Sequence, residues 1–142
     1  MIPIDNQYFF ISAKENVLTV RMMQGWDLTI TKQFCQALDT LVGEYCANSW
    51  ALMADLSHWC LTSEDAYMHF AQSHKGCIRQ GLRYQVVILP RSSLKRWRIK
   101  SFIKDDYLVK SYLADNEQEA FNWLAGQGFN VRAVQPPLLL KS

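Results

Sequence analysis

The stretch Trp50-Ala51-Leu52-Met53-Ala54-Asp55-Leu56-Ser57-His58-Trp59 decides how this chain is read. Up to Leu56 it is a nearly continuous apolar run, broken only by Asp55, and it has no polar face. That pattern suits a strand buried on both sides of a sheet. In open α/β sheets, ligands and partners meet the protein beyond the carboxyl ends of such strands. Asp55, Ser57 and His58 are therefore expected at a working edge, where a strand running from Trp50 to Leu56 ends.

Before this strand, Tyr8 to Ser12 and Val17 to Met23 read as two strands joined by the polar turn Lys14-Glu15-Asn16, an antiparallel hairpin. In the second, Val17, Thr19 and Arg21 take one face and Leu18, Val20 and Met22 the other. A helix beginning at Thr29 or Thr31 and running to about Cys46 carries Ile30, Phe34, Leu38, Leu41 and Tyr45 as one apolar stripe. A strand reached across such a helix is expected to run parallel to the one before it.

After the central strand, Thr62-Ser63-Glu64-Asp65 has the hydroxyls and acids of a helix start, and Gly81 of its end. Tyr84 to Leu89 is a further strand. Ser92 or Ser93 opens a third helix, Leu94 to about Lys104. Tyr107 to Leu113 is a fifth strand, Asp115 with Gln118 opens a fourth helix, and Phe129 to Val134 reads as a short final strand. The order ββαβαβαβα predicts an α/β fold: a mixed sheet, an opening antiparallel hairpin and then parallel strands, packed by about four helices.

The 142 residues fit one domain, 1–142, with its core at about 6–130 and a tail at 135–142. No apolar stretch approaches the roughly 20 residues of a membrane span. Met1 to Asp5 has neither the basic start nor the apolar core of a signal peptide, so a cytoplasmic location is expected. Cys35, Cys46, Cys60 and Cys77 are widely spaced, without a C-x-x-C, and read as reduced thiols. The tail Leu138-Leu139-Leu140, after Pro136-Pro137, is apolar enough to dock on its own domain or on a second copy, so a homodimer is a candidate state.

The net charge of +2 conceals segregation. Residues 1–74 carry three basic and eight acidic side chains, a balance of −5; residues 75–110 carry ten and two, a balance of +8. The third helix holds Lys95, Arg96, Arg98 and Lys100. As a structural element it would place Trp97 in the core stripe with the cations in water. As a contact surface it would hold an anionic partner, with Trp97 stacking or entering a headgroup region. No nucleic-acid motif accompanies it.

Asp55, Ser57 and His58 have the residue types of a hydrolytic triad but sit too close in sequence to converge, and there is no G-x-S-x-G elbow. Asp55 and Ser57 are expected to tie down the loop instead. His69 and His74 are five apart and do not share a helical face, so no metal site is expected. The glycines form no phosphate cradle, and no cofactor is implied. Trp26 and Trp59, each just beyond a strand, could flank a small apolar pocket.

Three stretches resemble the small bacterial SpoIIAA-like (STAS-type) proteins, a fold related to CRAL-TRIO lipid-binding domains: Gly25-Trp26, the stretch from Trp50 to Trp59, and Asn116-Glu117-Gln118-Glu119-Ala120-Phe121-Asn122-Trp123-Leu124 ending in Gly128-Phe129. The resemblance implies a non-enzymatic regulatory domain that binds a protein partner. The working edge for it would include Asp55, Ser57, His58, Trp59 and Ser63, while Trp26 and Trp59 would bind a small apolar ligand. The resemblance also implies a phosphoacceptor serine at a helix start, for which Ser63 is the positional match. The Asp-Ser-Ser-Gly motif of that switch is absent here, and Glu64 adds negative charge beside the hydroxyl. Kinship with lipid-binding relatives implies the alternative of a carrier for a small apolar molecule.

Overall fold

The computed structural model describes residues 3–103 and 108–130. In chain order the elements are β1 (Ile4–Asp5), β2 (Phe9–Lys14), β3 (Val17–Trp26), α1 (Leu28–Tyr45), β4 (Trp50–Leu61), α2 (Glu64–Arg79), β5 (Leu82–Ile88), α3 (Ser93–Phe102), β6 (Lys110–Ala114) and α4 (Glu117–Gly126). The strands form one sheet in sequential order. β1, β2 and β3 pair antiparallel, and β3 to β6 pair parallel. The mixed sheet and four helices match the expected fold class. The short β1 was not expected; β6 begins at Lys110, and Tyr107, where the fifth strand was expected to start, lies outside the described residues. Phe129 and Asn130 are not in a strand, and the rest of the expected final strand and the apolar tail lie outside the described residues.

Local chemistry explains the element boundaries. Lys14 pairs with Val17, so Glu15 and Asn16 make a two-residue hairpin turn, both at positive φ (55° and 65°). Such a turn matches the twist of the strands it joins. Asp27 caps α1, earlier than the threonines expected to do so, by accepting from the Ile30 N–H at 3.0 Å. Asn116 caps α4, and Glu119, rather than Gln118, reaches back to the Asp115 N–H. Gly81, at φ +106°, lets the chain turn from α2 into β5, where an added Cβ would meet the Asn48 Cα at 3.3 Å.

Two cores result. On one face, α1 and α2 cover Leu18, Val20, Met22, Leu52, Ala54 and Leu56. On the other, Ala120 and Leu124 of α4 pack against Val17, Ala51, Met53, Val86 and Ile88. β4 is buried on both faces, as its composition predicts. β3 alternates as read, and Arg21 emerges on the α4 side to form an ion pair with Glu117 (Nη2–Oε2 2.8 Å).

β4 is twelve residues long and does not end at Leu56. Its register against β3 shifts between Asp55 and His58, one residue on β3, Met22, facing two on β4, Leu56 and Ser57. A bulge of this kind reverses the inside–outside alternation. Trp59 thereby joins Leu52, Ala54 and Leu56 in the same core.

Candidate functional site

The bulge is held by the residues expected at the strand exit. Ser57 donates from its backbone N–H (3.0 Å) and its hydroxyl (2.6 Å) to Asp55 Oδ1. Asp55 lies within β4, as expected, but so do Ser57 and His58, which were expected beyond it; His58 is exposed, three residues before the strand's last, Leu61. The expected loop-tying role of Asp55 and Ser57 is observed, though inside a strand. The hydroxyl of Ser57 is engaged with a carboxylate, and the three side chains do not form a relay.

Trp26 and Trp59 are in the core, not on the surface. Their rings meet edge to face at 5.5 Å, and Trp59 also packs on Phe70 at 5.1 Å. Trp26 Nε1 donates to Met23 O at 2.8 Å. Trp59 Nε1 is buried and has no hydrogen-bond partner among the described residues. A void of about 50 Å³ lies deeper, beside Phe34, Leu38, Phe70 and Cys77. That is space for a water or two, not for a lipid chain.

A larger groove, about 430 Å³, opens where β4 actually ends. One wall runs from Trp59 through Leu61 into the start of α2 at Ser63 and Glu64; the other is α3, through Leu94, Lys95, Trp97 and Arg98. The helix is turned differently from its expected pose. Trp97 is 66% and Leu94 74% exposed, and Ile99 is the buried residue of the helix among its described side chains. Trp97 is thus a surface residue and the core-stripe reading of it is corrected. Residues two apart on a helix point about 200° away from each other, so Trp97 and Ile99 cannot share a face. That rule was the available signal for the exposed side of the helix; Leu94 was missed as a site residue, whereas Trp97 was weighed as one in the anionic-surface reading.

The cations of α3 are unequal. Arg98 lies 3.3 Å from Glu64 and stacks over the Tyr67 ring at 4.2 Å. Arg96 reaches Pro90 O at 3.3 Å and Asp115 at 3.8 Å. Lys95 lines the groove, and no partner is described for it. Ser63 caps α2, accepting from the Ala66 N–H at 3.3 Å and donating to Asp65 Oδ1. That hydrogen bond from Ser63 holds the Asp65 carboxyl below the usual carboxylate range. Gly25 of β3 passes so close to Thr62 that an added Cβ would meet its Cγ2 at 2.9 Å. The close approach brings the end of β3 against the groove's corner.

All four cysteines are free thiols. Burial pushes Cys35 and Cys46 up to about 11 and Cys77 up to about 12. Cys60 lines the groove. Among the described residues, no three His, Cys, Asp or Glu side chains are grouped to hold a metal ion. Nor is any helix there long and apolar enough to cross a membrane.

No protein-family model matches the chain, and no curated protein matches it in sequence. Solved structures do match in shape. An uncharacterised protein of the DUF3478 family, with a SpoIIAA-like fold, from Shewanella loihica PV-4 superimposes with a TM-score of 0.63 at 11% identity, over 87% of this chain and 99% of that one. The chain has a SpoIIAA-like fold. The anti-sigma factor antagonist SpoIIAA, in its unphosphorylated form, matches with a TM-score of 0.58, again at 11% identity, over 83% of this chain and 98% of that one. Neither description speaks of a lipid, so the expected kinship with CRAL-TRIO domains finds no support in them. The SpoIIAA-like frame accounts for the opening hairpin, the parallel strands and the helices packed on them.

Proposed function

We propose that this chain is a non-enzymatic regulatory domain that works by docking a protein partner in the groove between the end of β4 and α3. The observation that carries this reading is the exposure of Leu94 and Trp97 beside Lys95 and Arg98, an apolar and cationic wall facing the carboxyl end of the central strand. Large side chains left in water beside charge are typical of interaction surfaces. The similarity to an anti-sigma factor antagonist supports a regulatory role of this kind. Within this reading, Trp59 forms the floor of the contact and Asp55, Ser57 and Trp26 support it from below, while His58 does not line the groove.

Ser63 is the candidate phosphoacceptor of the same reading. A phosphate there would sit at the α2 N-terminus, in a groove whose other wall carries Lys95 and Arg98, and would meet repulsion from Glu64 and Asp65.

Affinity capture with quantitative mass spectrometry tests the proposal. Folded Trp97→Ala and Lys95→Glu variants should each lose at least tenfold of the captured partner. Asn122→Ala, on the opposite side of the sheet, should retain it. Equal capture by all three would refute the docking site.

A second reading, a carrier of a small apolar molecule, draws support from the groove volume, which lies within the range of small-ligand sites. Native mass spectrometry of gently purified protein should then show a bound mass that Trp97→Ala loses. A clean apo mass removes this alternative.

A further inference from the structure

β4 outruns its neighbour. Its pairing with β5 stops at Asp55 opposite Ile88, whereas its pairing with β3 continues to Leu61 opposite Trp26. β5 gives way to Leu89, whose N–H donates to Ala114 O on the other side, and then to Pro90, which has no N–H to offer. From Leu56 to Leu61 the central strand therefore has a paired neighbour on one side only among the described residues. The groove lies along its last three residues, Trp59 to Leu61.

The direction of the backbone there follows from one hydrogen bond. The Thr62 N–H donates to Trp26 O at 2.9 Å, so Thr62 faces β3. Successive residues of a strand turn their polar groups to opposite sides. Counting back, Cys60 faces β3, while Trp59 and Leu61 turn their N–H and C=O groups away from it, towards the groove. Trp59 also holds the buried indole N–H that lacks a partner.

The opposite wall sets the chemistry of an occupant. α3 carries four cations and no acid, and Lys95 and Arg98 line the groove with Leu94 and Trp97. Resting on the protein-docking reading above, we propose that the groove receives an extended, acidic segment of the partner, which adds a strand to the free edge of β4 beneath α3. Strand addition takes its affinity from main-chain hydrogen bonds and its selectivity from alternate side chains. Here the carboxylates would be the set turned towards α3, meeting Lys95 and Arg98 beside Leu94 and Trp97, and the alternate apolar set would take the other face of the sheet.

The test uses the full chain and three labelled heptapeptides. One alternates valine and glutamate, one alternates valine and lysine, and one is the glutamate peptide with alternate amides N-methylated. By fluorescence anisotropy in low salt, the glutamate peptide should bind with a dissociation constant under about 1 mM. Binding should weaken as salt rises, and should fall at least tenfold for each control peptide and for Lys95→Glu. Amide exchange should slow at Trp59 and Leu61 on binding.

Equal binding of the N-methylated or lysine peptide would overturn the proposal, as would no binding of the glutamate peptide. Protection of Trp59 and Leu61 without peptide would also overturn it, pointing to a second copy if it rises with protein concentration and to the chain's own tail if it does not. Failure of the peptides with groove-dependent partner capture intact removes strand addition alone. Failure of both removes the docking reading as well.

Discussion

Trp97 and Ile99 sit two residues apart on α3 and face opposite ways, Ile99 buried at 3% exposure and Trp97 two-thirds exposed on the groove wall. The helix thus has one side that holds it to the domain and another that the domain does not use. This division makes stability and binding separable by mutation. Trp97→Ala should change unfolding free energy by no more than about 0.5 kcal/mol, whereas Ile99→Ala should cost about 2–5 kcal/mol. Urea unfolding of the two variants checks the contrast, and equal losses would contradict it.

Trp26 and Trp59 differ in a single respect that a conservative change can read. Both are buried and they pack on each other, but only Trp26 has a partner for its indole N–H, the Met23 carbonyl. Phenylalanine at either site gives up similar volume. Trp26→Phe also leaves a carbonyl short of its donor, and Trp59→Phe removes an unsatisfied one. Trp59→Phe is expected to be the milder change by about 1 kcal/mol in the absence of a partner, measured by urea unfolding.

Arg21 and Glu117 tie the hairpin to α4, through contacts of 2.8 and 2.9 Å from Arg21 Nη2 and Nε to the same oxygen. Arg21 is mostly buried and lies over the Phe10 ring. Glu117→Ala should destabilise by about 1.5–3 kcal/mol, the cost of losing hydrogen bonds to a charged group. Because Glu117 is partly exposed, the loss belongs at the lower end of that range. Thermal unfolding at two salt concentrations would measure it.

Ser63 acts on α2 as a cap whatever else it does. Ser63→Ala should cost about 1 kcal/mol, and Ser63→Asp should recover most of it because a carboxylate can also accept at the cap. The low value of Asp65 depends on the Ser63 hydrogen bond. Its contribution to stability is therefore present above the unfolded carboxylate value and lost as pH falls through the depressed folded value. Acid titration of stability should show this loss in the parent chain and a smaller one in Ser63→Ala.

Much of the fold was legible in the residues. The two-sided apolar run of β4 announced a central strand, the alternation in β3 set its faces, and polar caps marked the helices. The working edge was only partly legible, for two reasons. A bulge at Asp55–Ser57 prolongs β4 and turns Trp59 inward, and nothing in a residue pattern distinguishes an Asp–Ser loop tie from an Asp–Ser clasp within a strand. In the structural reading of α3 Trp97 belonged to the core stripe, though angular spacing separates Leu94 and Trp97 from Ile99, which was not singled out. The free edge of β4 depends on where β5 stops, and that is a property of the pairing between strands.

The buried thiols give a pH dependence of opposite sign. Cys35, Cys46 and Cys77 are held protonated by burial to about 11, 11 and 12, against an ordinary 9.0. Above pH 9 the unfolded chain has released these protons and the folded chain has not, so stability falls as pH rises from 9 towards those values. Unfolding midpoints across that interval should decline more steeply in the parent than in Cys77→Ser. At pH 8 the same three thiols should react slowly with iodoacetamide.

Site-specific photocrosslinking in living cells tests the docking groove most directly. With a benzophenone side chain at position 97, the groove reading gives a discrete heavier adduct that is absent when the same group stands at position 122 on α4. No adduct from position 94 or 97, or an identical set of adducts from positions 97 and 122, would contradict it.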